Sequence, residues 1–550
     1  MMFAIRFTAL VDVAGTVQTF VIATDPFVIG PTGSPANQAA LGRLLDPGYW
    51  ERTMSASTAA GKLLFGLTQS SRGAAKAAGA DGELDLLPTY GVAGRDIELY
   101  AIDSDHPATD VSYFPGAWTQ IGTATLVSIT QDGLTTTFNI KEKFGAFDKP
   151  MCPNFTGAGG LEGYAELEGT PKPVAYGAPY NVSPVLIDKQ QLIYMVSARH
   201  AVSGHFAKDG GSVIARALTG TGPDIELDAV ADYAALAAYE VPIGHYVTLT
   251  SEGCLKLGSP LAGMLTVDAM QYLGGGGLER SLVSEVLQDI AEDADPTITL
   301  ATWPWIDFNT WADASPKKRV GYFAKDSSVT FAQALSDIAG SVGAWVGFNR
   351  SGEFTVGRVT DPADSASAFT IEADRIISIA RVTSGDAGRG QPFGRIVQKY
   401  PRNWTPQNGK DLFGVVPDEV RAEVALQFPK ESVYECLNSD DSTPTLTQFE
   451  NAPDYVIESY AKGRRVTSTG VLETGTAVPS EDIGVLLGRQ RDWIEVKVEF
   501  TTQLFYDLDV GLVGTITYDR FGLDAGKKMM VVAIRYELSG FPTATLTLWG

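Results

Sequence analysis

The residues best equipped for chemistry in this sequence are four histidines, three cysteines and a run of aromatics, and each type would do a different job. His106, His200, His205 and His245 could ligate a metal or shuttle protons. His200 and His205 stand five apart, a spacing that misses a single helix face, and the segment around them reads as strand. A metal site would need carboxylate or thiol partners that the spacing does not supply, and no H-E-x-x-H occurs, so ordinary surface or core histidines are expected. Cys152, Cys254 and Cys436 lie far apart, with no C-x-x-C pair and no assignable histidine partner. They read as inert packing, not as nucleophiles, a disulfide framework or a zinc ribbon.

Other signatures of catalysis are missing or open to a plainer reading. No serine sits in G-x-S-x-G. Gly274 to Gly277 open a helix, where phosphate can bind, but without G-x-x-x-x-G-K-[ST] or a βαβ context they read as a domain joint. Trp303, Trp305, Phe308 and Trp311 could stack on sugar rings; a core or subunit contact is the preferred reading. Glycoside hydrolysis needs only two carboxylates at a set separation, which leaves a hydrolase open as the alternative. The N-x-[ST] sequons at Asn154, Asn181 and Asn403 read as chance. No residue is assigned to catalysis, to a cofactor or to a metal, and the expectation is a protein that is not an enzyme.

Charge narrows the partners. Against 42 basic residues stand 65 acidic ones, a net −23, and no Lys/Arg run occurs. A grip on phosphate backbones or on anionic lipid is disfavoured, whereas DNA could pass such a surface without being held. With 44% hydrophobic and 19% charged residues the chain should fold, and 58 glycines and 29 prolines suit short strands joined by turns. A length of 550 residues asks for several domains. The start, Met-Met-Phe-Ala-Ile-Arg-Phe, lacks a signal sequence, and no segment reaches the ~18–20 apolar residues of a spanning helix. The expectations are no stable membrane anchor and assembly in a reduced cytoplasm.

The elements that must position these residues are mainly strands. Phe3, Ile5 and Phe7 alternate, Val17 to Ile22 follows a turn at Ala14-Gly15, and 31–48 reads as a long loop. Thr123 to Ile129 and Thr135 to Ile140 flank the hairpin signal Gln131-Asp132-Gly133. Glycine-rich 151–168 reads as a linker, short strands follow to Val267, and Leu227 to Tyr239 as a short helix. Leu278, Leu282, Val283, Val286, Leu287 and Ile290 mark one helix; Thr330 and Gln333 fit a capping box for a second that Gly343 ends. A hairpin follows, Trp345 to Phe348 and Phe354 to Arg358 about Asn349-Arg350-Ser351-Gly352, and a helix is expected at Asp418 to Gln427. Ile494 to Phe500, Val513 to Tyr518, Met529 to Tyr536 and Thr543 to Trp549 read as closing strands. The expected fold class is mainly β with α+β insertions, and multidomain. The units are an N-terminal β-barrel or small sandwich over 1–150, a β-rich peripheral domain over 151–276 and an α+β domain over 277–400. A mixed connecting region over 401–490 and C-terminal strands over 491–550 complete the chain.

Several stretches carry a resemblance: Leu44-Leu45-Asp46-Pro47-Gly48 with Arg52, Pro171-Lys172-Pro173-x-x-Tyr176-Gly177 within 169–187, and Val329 to Arg358. The ending from Arg520-Phe521-Gly522-Leu523 through Leu546-Thr547-Leu548-Trp549 adds to them. In this order the sequence resembles siphophage tail-tip proteins, the baseplate hubs of long-tailed bacteriophages. The resemblance implies a homotrimer on the tail axis, with two tube-like β-barrel domains per chain and peripheral domains around them. The strands over 491–550 would complete the second barrel. Implied partners are the tail tube or distal tail protein, the tape-measure protein, and tail fibre or central tip proteins, with DNA only in transit through an ejection channel. It implies a place in the virion, at the tail tip, and a part in genome ejection and host attachment. A tail-associated cell-wall hydrolase and a host-binding adhesin are the competing readings.

Overall fold

The computed structural model describes residues 1–54, 66–103, 105–216, 232–273, 279–314, 317–382, 393–436, 444–448, 450–460, 465–466, 472–473, 495–501, 508–539 and 542–550. The protein is mainly β, built from several sheets with helices gathered in its middle. The first sheet has nine strands in the order Phe27–Val28, Ala39–Gly42, Val17–Ala23, Met2–Leu10, Arg95–Ile102, Thr119–Gln131, Thr135–Lys141, Ala75–Ala78 and Leu44–Asp46. Strand alternation sends Phe3, Ile5 and Phe7 into the core and Arg6 and Thr8 to the other face. At the expected hairpin the Asp132 carboxylate accepts from Leu134 N (3.1 Å) and Thr135 N (2.8 Å), and Gly133 takes φ +86°. The long loop expected over 31–48 instead contains two short strands. They are held by pairing with Val17–Ala23 and Ala75–Ala78, and are too brief to show a period of their own.

The closing strands form the second large sheet. Its main path runs Phe369–Ile371, Val513–Ile516, Lys527–Glu537, Thr543–Trp549, Glu495–Thr501 and Ile376–Val382. One continuous apolar core joins the two sheets, with Phe7, Leu126 and Phe138 from the first and Val531, Ile534, Leu546 and Trp549 from the second. Such a core is the main driving force for holding both ends of the chain together.

Between them lie smaller units. A five-stranded sheet with central strands Cys254–Leu257 and Ile193–Met195 stands beside a three-stranded one around Ala201–Asp209. The helix Val283–Ala294 buries Val283, Val286, Leu287 and Ile290, as its period predicts. Phe331–Ser341 is capped by Thr330, whose hydroxyl accepts from Gln333 N (3.2 Å), and Gly343 follows at φ +70°. The Gln333 amide turns to Asp337 Oδ1 (2.6 Å), so only half of the capping box forms. The hairpin Ala344–Phe348 and Phe354–Arg358 follows, as expected. A helix not expected from the sequence, Thr302–Asp313, precedes them: its large apolar residues lie on opposite faces and leave no single stripe.

The expected helix over 227–239 is seen as Tyr233–Ala238, capped by Asp232; its first part and Gly274 to Gly277 lie outside the described residues. The stretch 151–168, expected as a loose linker, buries Met151, Cys152 and Phe155, because its glycines take positive φ and fold the chain back onto the core. Later, Asp418–Ala425 is helical, and Arg395–Tyr400 lies between Lys430–Glu435 and Asp454–Glu458 in a small sheet. Among the described residues no helix is long and apolar enough to cross a membrane.

Candidate functional site: the junction between the large sheets and their open faces

The two large sheets are stitched by one excursion of the chain. After Leu44–Asp46 it leaves the first sheet at Pro47-Gly48, and Tyr49–Thr53 pairs with Ala533–Glu537 of the second. It returns through Gln69–Arg72, which pairs back on Tyr49–Thr53. Gly48 takes φ +81° with Gly73 against it, an approach in which a Cβ would lie 2.6 Å from the Gly73 carbonyl oxygen. Alternation points Trp50, Arg52 and Met54 inward, all buried. The Trp50 ring lies over Gly122, where a Cβ would stand 1.8 Å from it.

Arg52, only 2% exposed, ion-pairs with Asp509, and among the described residues its Nε and Nη2 have no hydrogen-bond partner. The same carboxylate accepts from Val510 N (2.8 Å) and Arg350 N (3.4 Å), so it meets the N-terminal excursion, the C-terminal sheet and the turn of the central hairpin. That turn also docks on the first sheet. Thr123 Oγ1 donates to Arg350 O (3.1 Å), and Lys143 Nζ donates to Gly352 O (3.2 Å).

Away from the core both sheets present polar faces. On the second sheet Ser378, Glu499, Thr545, Arg535 and Glu51 stand in register across five strands. Ser378 donates to Glu499 (2.9 Å), and Arg535 pairs with Glu537 and with Glu51 (3.3 Å). On the first sheet Arg6 pairs with Glu98, which also accepts from Tyr100 OH (3.1 Å), and Lys143 pairs with Asp96 (3.0 Å). Ser128, Thr130, Thr137 and Asn139 continue this face, which also carries Lys76 and Lys141. Hydroxyls and cross-strand ion pairs dominate both.

The edges of the sheets differ. Phe27–Val28, Leu44–Asp46 and Phe369–Ile371 are two or three residues long, which limits pairing with other chains. Ile376–Val382 is seven residues long and, among the described residues, pairs only with Glu495–Thr501. Ile376 and Ile379 pack against the core, and Ile377 is 52% exposed.

The histidines do not converge. His106 lies 3.4 Å from Asp110, His245 Nδ1 is 3.0 Å from Ile243 O, and His205 takes a strand position. His200, at φ +58°, meets Asp293 through Nε2 (2.8 Å), and Tyr176 OH donates to the same oxygen (2.6 Å). Burial works against the Asp293 charge, but His200, Tyr176 and Arg199 outweigh it and hold the carboxyl below its usual range. One turn earlier Asp289 is bound by Arg280 (2.6 and 2.9 Å) and Gln271 (2.7 Å), yet burial raises its pKa. Both carboxylates tie the peripheral strands to the helix Val283–Ala294. Among the described residues no group of three His, Cys, Asp or Glu could hold a metal.

All three cysteines are free and buried; burial pushes the thiols of Cys152 up to about 11 and Cys436 up to about 12, and Cys254 higher still. Asn181 and Asn403 are buried in a latch. Asn181 Nδ2 donates to Asn403 Oδ1 (2.8 Å), and Asn403 Nδ2 donates to Val424 O (2.8 Å) and Leu426 O (3.0 Å). Asn154 is exposed. Of the aromatic run, Trp305 and Phe308 are core, Trp311 is half-buried and Trp303 faces solvent. Sequence reasoning missed Asp509 and the pairing of Arg52 with it. They are 457 residues apart, and no local pattern signals such a partner.

No family model matches the chain, and no curated protein matches it in sequence. Solved structures do. The chain is similar to phage and prophage tail proteins. The 43 kDa tail protein of prophage MuSo2 from Shewanella oneidensis is 8% identical, with a TM-score of 0.38 over 99% of this chain and 98% of that one. The tail protein from Neisseria meningitidis MC58 is 10% identical, with a TM-score of 0.38 over 100% and 96%. A chain of the native gene transfer agent virion is 12% identical, with a TM-score of 0.37 over 69% and 84%.

Proposed function

We propose that the protein is a structural baseplate hub at a phage tail tip and not an enzyme. Three copies would surround the tail axis, each giving its two large sheets to a closed ring. The observation that carries this is the pair of large sheets fused through one core, ending in Ile376–Val382, which among the described residues pairs on one side only. An edge of this length, with isoleucines along it, is a template for another strand, and a ring of copies removes it. The sequence resemblance to tail-tip hubs supports the same reading. The ring would contact the tail tube or distal tail protein above, the tape-measure protein within and the fibre or central tip proteins below.

In this arrangement the polar faces line the channel. DNA carries one negative charge per ~1.7 Å of axis, and rows of free Lys and Arg would hold it. Arg6, Arg535 and Lys143 are instead neutralised by Glu98, by Glu51 and Glu537, and by Asp96, while Lys76 and Lys141 stand exposed on the first sheet's face. A particle reconstruction with this chain labelled tests the proposal. Three copies on the tail axis are expected, and one or six would overturn it; an excess of Lys and Arg over Asp and Glu along the channel would overturn the account of DNA passage.

A further inference from the structure

We infer that Asn408 is a site of spontaneous covalent modification, and that its conversion to aspartate and isoaspartate loosens the strap tying the peripheral strands to the small sheet around Arg395–Tyr400. Asn408-Gly409 is the one Asn-Gly pair in the sequence. It opens a turn in which Asp411 N donates to Asn408 O (2.9 Å) and Asn408 N donates to Asp411 Oδ2 (2.9 Å). Both residues are exposed, and among the described residues nothing is hydrogen-bonded to the Asn408 side-chain amide or to Gly409 N. A Cβ at Gly409 would meet nothing within 4 Å, so the approach to that nitrogen is open. Other asparagines are engaged. Asn181 and Asn403 are buried in their latch, and the amides of Asn139 and Asn349 are bonded to Ser128 and Glu353. Asn154 is exposed, but the nitrogen that follows it, Phe155 N, donates to Thr170 O (2.9 Å) and belongs to a bulky residue.

The reaction needs only water. Gly409 N, deprotonated by hydroxide, attacks the side-chain carbonyl carbon of Asn408; the bond to the amide nitrogen breaks, ammonia leaves, and a five-membered imide closes. Adjacent in one chain, the two groups meet at a high effective concentration. Water then opens the ring at either carbonyl. One opening gives aspartate; the other gives isoaspartate, whose main chain runs through the side-chain carbon and is one atom longer. Overall one water is consumed and one ammonia released, with nothing oxidised or reduced. Either product sets a new carboxylate beside Asp411, and the longer main chain cannot keep the turn. The flanks of this turn form the strap. Before it Gln407 N donates to Val424 O (2.8 Å), and after it Phe413 N donates to Gly210 O (2.8 Å). Leu412 and Val416 pack so closely on Gly211 that a Cβ there would lie 2.7 and 3.1 Å from them.

Mass spectrometry of peptides from the folded full chain, aged at neutral and at alkaline pH, tests the site. Aspartate and isoaspartate forms of the Asn408 peptide should accumulate, faster at alkaline pH, and outrun any change at Asn154 by at least about tenfold. Gly409→Ala, for which the turn has room, should slow the conversion by at least about tenfold. In aged protein the amides of Gln407 and Phe413 should exchange with deuterium at least about tenfold faster than in fresh protein, and in aged Gly409→Ala they should not. An Asn408 that stays intact in the folded chain while converting in urea would overturn the site, because the turn would then protect it. Conversion that leaves exchange at Gln407 and Phe413 unchanged would overturn the loosening of the strap.

Discussion

Arg52 shows how much can hang on one side chain. It is buried, holds one carboxylate that reaches three parts of the chain, and among the described residues leaves two of its nitrogens without hydrogen-bond partners. Removing one member of a buried ion pair strands the other, at about 3–5 kcal/mol, whereas replacing both by apolar side chains of like size is often neutral. Asp509 keeps some contact with water at 20% exposure, so Arg52→Ala should cost nearer the lower figure, and Arg52→Met with Asp509→Leu should recover most of it. Urea unfolding followed by near-ultraviolet circular dichroism measures this; a double variant as weak as Arg52→Ala would show that the pair itself is needed. The sequence drew attention to Arg52 only through a resemblance, and nothing in it named Asp509.

At the scale of elements the decisive contacts are backbone approaches that need glycine. Trp50 lies against Gly122, and even a methyl group there would overlap its ring. Gly122→Ala should therefore destabilise the junction by more than about 3 kcal/mol, within the range of severe overpacking, and Trp50→Leu in the same chain should restore part of the loss. Thermal unfolding of both variants and their combination gives the coupling; additive losses would place the clash elsewhere. Legibility followed the strength of periodicity. The strands after Phe3 and the hairpin at Asp132 were plain from alternation and turn residues, and the helix before Gly343 from its stripe and cap. The helix Thr302–Asp313 was not, because tryptophans on both faces erase the period; nor were Ala39–Gly42 and Leu44–Asp46, which exist only through their neighbours. The ion pairs of the polar faces cross between distant segments and could not be read.

For the whole molecule, the edge Ile376–Val382 should matter only in assembly. Ile377→Lys places a charge on an exposed position of an edge, a common guard against strand pairing. The free chain should melt within about 0.5 kcal/mol of the original, while incorporation into particles falls at least tenfold; normal incorporation would mean that another edge closes the ring. A different consequence follows from the strand Tyr49–Thr53. It leaves the ribosome well ahead of Lys527–Glu537, the strand far along the sequence that it must pair with. At about 5–20 residues per second that is a wait of roughly half a minute to a minute and a half, during which the early sheet carries an unpaired hairpin. Contacts so distant along the chain also slow folding itself. The core that unites the two sheets can therefore close only after Lys527–Glu537 has been made, and a copy cut short before that strand cannot complete it.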